Sequence, residues 1–102
     1  MKEMFSVKNG ALLIMMPEEL DHHKAQGIKE GADGYLLLGK ARDVVFDFSR
    51  TKFMDSSGIG VIAGRYKVVS CYGGKVMVVH ASLRIRRILM LSGLKDMIKI
   101  VD

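Results

Sequence analysis

The sequence predicts an α/β fold, a mixed and mostly parallel β-sheet that opens with an N-terminal antiparallel hairpin and packs against α-helices. Three observations predict it. Asn9-Gly10 separates two short apolar runs. From residue 20 onward, β-rich runs alternate with stretches of helical periodicity, the pattern of βαβ crossovers. The 102 residues, 49% of them apolar, suffice for one two-layer core, so a single domain over 1–102 is expected.

The elements follow in chain order. Met4 to Val7 and Ala11 to Met16 are the arms of the hairpin, because Asn and Gly tolerate the positive φ of a two-residue turn. Pro17 ends the second arm, and Asp21 is placed to cap a helix on which Ala25, Ile28, Ala32 and Tyr35/Leu36 recur at helical spacing. Gly27, Gly31 and Gly34 weaken that helix, so packing must hold it. Asp43 to Phe48 alternates little and reads as a buried central strand, with Ser49 to Asp55 irregular after it. A helix then starts near Ser56-Ser57-Gly58, with Ile59, Ile62/Ala63, Tyr66 and Val69/Ser70 on its apolar face, and stops at Gly73-Gly74. Val76 to Val79 is a short strand. Ser82 caps a helix striped by Leu83, Ile85, Ile88 and Leu89, with Gly93 past its end, and Met97 to Val101 is the last strand.

Composition removes several function classes. The longest apolar run, Ala11 to Met16, is far short of the roughly 20 residues of a membrane helix, so no membrane partner is expected. The first residues lack a signal-peptide layout and Cys71 is alone, which together point to the cytoplasm. The net charge of +5 is uneven: residues 1–60 carry −1 and residues 61–102 carry +6. An anionic partner would suit the basic half, but its few aromatics are not interleaved with the basic residues, so no nucleic-acid partner is expected. Gly58-Ile59-Gly60 with Gly64 only approaches a dinucleotide fingerprint, and there is no phosphate loop and no nucleophile elbow around Ser57. His22 and His23 are adjacent and point about 100° apart on a helix, so they cannot share a metal, and His80 has no partner within its strand or turn. The expectation is a protein that is not an enzyme, with no cofactor and no metal.

One junction stands out, Phe53-Met54-Asp55-Ser56-Ser57-Gly58-Ile59-Gly60. Two hydroxyls sit where a helix begins, beside unpaired N–H groups and a positive dipole end. Such a place can cap itself through a serine, accept an anion, or carry a phosphate covalently. Asp55 is adjacent, and Asp21 is expected nearby because both end connections at the same edge of the sheet.

At this junction the sequence resembles STAS domains (sulfate transporter and anti-sigma factor antagonist), and within them the sporulation anti-sigma F factor antagonists. The resemblance rests on Met54-Asp55-Ser56-Ser57-Gly58-Ile59-Gly60-Val61-Ile62 continuing into Gly64-Arg65-Tyr66-Lys67. Glu19-Leu20-Asp21-His22-His23 upstream is similar too, as are Gly73-Gly74 and Ser92-Gly93-Leu94 downstream.

The resemblance implies a phosphorylation switch. The unphosphorylated antagonist would bind an anti-sigma factor that is also a serine kinase and so release the sigma factor. The kinase would then phosphorylate Ser57, and a PP2C-type phosphatase would restore the hydroxyl. Asp21, His22, Asp55, Ser56, Gly58, Ile59, Gly60, Arg65 and Lys67 are the partner-binding residues implied, with Arg65 and Lys67 facing the kinase. An alternative is a STAS scaffold in a stressosome-like assembly. Two features depart from the family pattern. Pro17-Glu18 alters the loop before Glu19, and the sequence ends at Asp102 without the family's final helix. The expected fold is therefore a STAS fold lacking that helix, with one sheet face less covered and a monomer or weak homodimer as the assembly.

Overall fold

The computed structural model describes residues 4–101. Strands β1 (Phe5–Lys8) and β2 (Ala11–Met15) form the hairpin, and Asn9 and Gly10 take φ of 52° and 80°, the positive pair that such a turn requires. Then follow β3 (Glu19–Leu20), α1 (His22–Leu37), β4 (Asp43–Asp47), β5 (Phe53–Met54) and α2 (Ser56–Ser70). Strand β6 (Val76–Val79), α3 (Leu83–Leu91), a 3-10 turn (Leu94–Asp96) and β7 (Lys99–Ile100) complete the chain.

The main sheet has the order β1-β2-β4-β6-β7, antiparallel only at the hairpin. The expected mixed, mostly parallel sheet is what forms, with β4 central. The crossovers through α1, α2 and α3 step in the same direction across it. With the right-handed sense of such connections, they lay all three helices on one face. Burial follows. Leu12, Ile14, Val44, Phe46, Val76 and Val78 point beneath the helices and are buried. Leu13, Met15, Val45, Met77 and Val79 point the other way, where no helix covers them among the described residues, and stay half-buried. Strand β4 therefore alternates fully, against the expectation of a strand buried on both sides.

Three other expectations are corrected. The Ser49 to Asp55 segment is not wholly irregular, because Phe53-Met54 pairs with Glu19-Leu20 in a separate two-stranded parallel ladder. Two residues are too few for periodicity to reveal. The buried stripe of α2 is Gly58, Val61, Ile62, Arg65 and Val69, rotated from the one expected because α2 packs on α1 as well as on the sheet. In α3 only Ile85 and Leu89 are buried, and Leu83 is 74% exposed. Helix α1 buries Ala25, Ile28, Ala32 and Leu36, as its spacing predicts. No described helix is long and apolar enough to cross a membrane.

The one-sided topology makes a direct prediction for two neighbouring residues of β4. Phe46→Ala, beneath the helices, should cost about 3–5 kcal/mol in urea unfolding. Val45→Ala, on the open face, should cost about 1 kcal/mol or less. Equal losses would mean that both faces are packed.

Candidate functional site

The short ladder places the site. Strand β3 leads through Asp21 into α1, and β5 leads through Asp55 into α2. Pairing of Leu20 with Met54, extended by the Asp55 N–H donating to Leu20 C=O at 3.2 Å, sets the two helix starts side by side. The two junctions repeat one geometry. Asp21 has φ −101° and ψ −178°, and Asp55 has φ −95° and ψ −174°. Each carboxylate caps its helix, Asp21 accepting from Lys24 N–H at 2.9 Å and Asp55 from Ser57 N–H at 2.8 Å. The cap of α2 is thus Asp55 rather than a serine, which leaves both hydroxyls for other work.

The loops behind the ladder are pinned. Thr51 is buried and its hydroxyl donates to Pro17 C=O at 2.8 Å, while Lys52 N–H donates to Glu18 C=O at 2.8 Å. Gly58 sits where α2 meets the ladder. A Cβ there would collide with the Met54 side chain and with Leu20 Cδ2, so only glycine allows this approach. Gly60 has no such neighbour. It opens onto a groove of about 280 Å³ between α1 and α2, also lined by His22, Gln26, Lys29, Ser57 and Arg65.

Ser57 is half-buried at the mouth of this groove, and its Oγ lies 3.4 Å from Nδ1 of His22, the first residue of α1. Ser56 is exposed beside it and Ile59 half-buried one residue beyond Gly58. The two helix starts meet at Ser57, each with a positive dipole end capped by one carboxylate, Asp21 or Asp55, and with no further acidic residue in its first turn. The hydrogen bond from Lys24 N–H, helped by the charges of Lys24 and His23, holds the Asp21 carboxyl below its usual range against a smaller opposing effect of desolvation.

Arg65 does not face outward. It is 3% exposed, and its Nε lies 3.0 Å from Asp33 Oδ1, so it joins α2 to α1. Desolvation lowers its pKa and the Asp33 charge opposes that effect. Its Nη1 has no partner among the described residues. Lys67 is exposed but stands ten residues beyond Ser57, about 15 Å along the helix axis. The structure therefore assembles Asp21, His22, Asp55, Ser56, Ser57, Gly58, Ile59 and Gly60, and leaves Arg65 and Lys67 apart from them. Sequence reasoning missed Lys29, although its place seven residues after His22 on one helix face was a usable signal. His80 does have a partner, on the neighbouring strand: its Nδ1 lies 3.1 Å from Asp47 Oδ1. Burial pushes the Asp47 carboxyl up, and hydrogen bonds from Ser49 and His80 outweigh that and hold it low.

A βαβα arrangement with a serine at the second of two ladder-paired helix starts defines a class. The family model described as "STAS domain" matches residues 4–102, and this chain belongs to that family. The chain is 34% identical over 93 residues to the anti-sigma F factor antagonist of Paenibacillus polymyxa, covering 91% of this chain and 80% of that protein. It is 32% identical over 82 residues to the anti-sigma-B factor antagonist of Bacillus subtilis, covering 80% and 73%. Among solved structures, the unphosphorylated anti-sigma factor antagonist SpoIIAA superposes with a TM-score of 0.79 at 25% identity, covering 96% of this chain and 87% of that one. The phosphorylated form of the Bacillus SpoIIAA superposes at 0.77 with 27% identity, covering 96% and 91%.

Two predictions come from the geometry. Gly58→Ala should destabilise by about 1–3 kcal/mol through overpacking, whereas Gly60→Ala should be neutral or stabilising by up to about 1 kcal/mol, both by urea titration. Because the Asp21 carboxyl is held low in the folded chain, its contribution is complete above the usual aspartate range and is lost as pH falls through the lowered value. Asp21→Asn keeps a capping oxygen but cannot titrate, so its unfolding midpoint should fall less steeply on the acid side than that of the parent chain.

Proposed function

We propose that this chain is an anti-sigma factor antagonist whose binding is switched by a phosphate on Ser57. In the unphosphorylated state it binds an anti-sigma factor that is also a serine kinase, and the sigma factor is released. The kinase transfers the γ-phosphoryl group of ATP to Ser57 Oγ: the new O–P bond replaces the bond to ADP, and the hydroxyl proton is lost. The complex separates, and a PP2C-type phosphatase restores the hydroxyl. These steps belong to the cytoplasm, where the kinase finds ATP.

The observation that carries this reading is the position of Ser57, half-buried at the mouth of a groove between two capped helix starts. The names of its relatives, antagonists of anti-sigma F and anti-sigma-B factors, support the partner class. The charge arithmetic supports the direction of the switch. A phosphate adds about −1.5 to −2 charge where Asp21 and Asp55 already stand, inside a surface that had presented a neutral hydroxyl. In this reading the partner contacts Asp21, His22, Asp55, Ser56, Ile59 and Gly60 around that hydroxyl. Gly58 acts by shaping the backbone, Lys67 extends the surface along α2, and Arg65 contributes only through the packing of α2 on α1.

The test is incubation with a candidate anti-sigma kinase and Mg-ATP, followed by peptide mass spectrometry. A single phosphate on Ser57 is expected. Ser57→Ala should bind the kinase without being modified, and Ser57→Asp should bind at least tenfold more weakly, a loss of about 1.4 kcal/mol. Modification at another residue only, or undiminished binding by Ser57→Asp, would overturn the reading.

A further inference from the structure

The hydroxyl of Ser57 has one side-chain neighbour within hydrogen-bond range among the described residues, Nδ1 of His22 at 3.4 Å. The nearby carboxylates are already engaged. Asp21 and Asp55 each use one oxygen, Oδ1, to cap their own helix. Lys29 lines the same groove as Ser57 and His22, and Arg65 lines it too, its side chain only 4% exposed and its Nη1 without a partner among the described residues. The groove thus has two positive helix ends and an imidazole at the Ser57 oxygen, and farther along it an exposed ammonium group and a buried guanidinium paired with Asp33.

We propose that this α1–α2 groove is an internal seat for the phosphate carried by Ser57, with His22 as its nearest ligand. The proposal rests on the switch reading of Ser57. In the unmodified chain the serine hydroxyl can donate to a neutral Nδ1. In the phosphorylated chain a proton on Nδ1 is donated instead to a phosphate oxygen, a charge-assisted bond that offsets part of the repulsion from Asp21 and Asp55. The charged groups on the elements that form the groove are Asp21 and Asp55 at the two caps, His23 and Lys24 on the first turn of α1, Lys29 two turns along it, and Arg65 on α2 with its partner Asp33. Seated in this way, the phosphate changes two surface features at once. It removes the neutral hydroxyl and it turns the His22 ring from an exposed contact into a ligand.

The experiment uses the full chain with phosphoserine encoded directly at position 57, so no kinase is involved. The second ionisation of the phosphate, near pH 6 for a free phosphoserine, is followed by 31P NMR. An imidazolium at the phosphate favours the dianion, so the midpoint should rise by about half a pH unit or more in His22→Gln. His23→Gln, one residue away but outside the groove, should titrate like the parent phosphoprotein. Superimposable curves for the parent and His22→Gln would overturn the seat, as would an equal rise in His23→Gln. Either failure would leave the switch at Ser57 standing if the kinase still modifies it. A rise confined to His22→Gln beside a kinase that ignores Ser57 would instead put the fault in the switch.

Discussion

Everything at the site depends on two residue pairs, Glu19 with Phe53 and Leu20 with Met54. This parallel ladder stands apart from the main sheet, and its register decides which residue of α1 lies beside which residue of α2. A slip of one residue would exchange the buried and exposed sides of the ladder and break the stacking of Leu20 and Met54 beneath α2. It would also separate His22 from Ser57. So short a ladder is weak in isolation, and here it is held from behind by Thr51 on Pro17 and from above by the approach of Gly58. Gly58, with no side chain to meet Met54 and Leu20, is thereby the residue that lets α2 start where it does.

The contact between α1 and α2 carries a second constraint. A buried arginine is costly to desolvate, and its pairing with Asp33 offsets that only in part: the net effect lowers the Arg65 pKa, and Nη1 has no partner among the described residues. What the pair does accomplish is alignment. It ties the two helices two turns beyond the site, so the groove between their starts keeps its width. Gly60 and Gly64 on α2 leave that groove open rather than filling it, since a Cβ at either position would meet nothing within 4 Å.

Opposing charges meet at the Ser57 hydroxyl. Two helix dipoles present positive ends, two aspartates answer them, and Ser57 sits between with no charge of its own. Under the proposed switch, a phosphate on Ser57 would change the local charge without any need to rebuild the fold. Belonging to the STAS family places this arrangement among proteins whose relatives bear names of regulatory antagonists.

Much of the main sheet was legible because its signals are local. Asn9-Gly10 dictates a turn, Asp21 dictates a cap, and Ala25, Ile28, Ala32 and Leu36 repeat at a period that only a helix satisfies. The start of α2 was legible as well, since the helix begins at Ser56-Ser57-Gly58 as that motif predicts. The remainder required tertiary structure. Arg65 reads as a surface cation until Asp33, 32 positions earlier, is brought within 3.0 Å of it. Asp55 rather than a serine became the cap because its backbone is held extended by pairing with Leu20. His22 and Ser57, 35 residues apart, became neighbours for the same reason. Sequence by itself determined the main-sheet strands, the helices and the two-serine helix start, because each depends on a few adjacent residues. Only the packed structure decided which charges face outward and which side chain attends Ser57, because those depend on the register between segments distant in the chain.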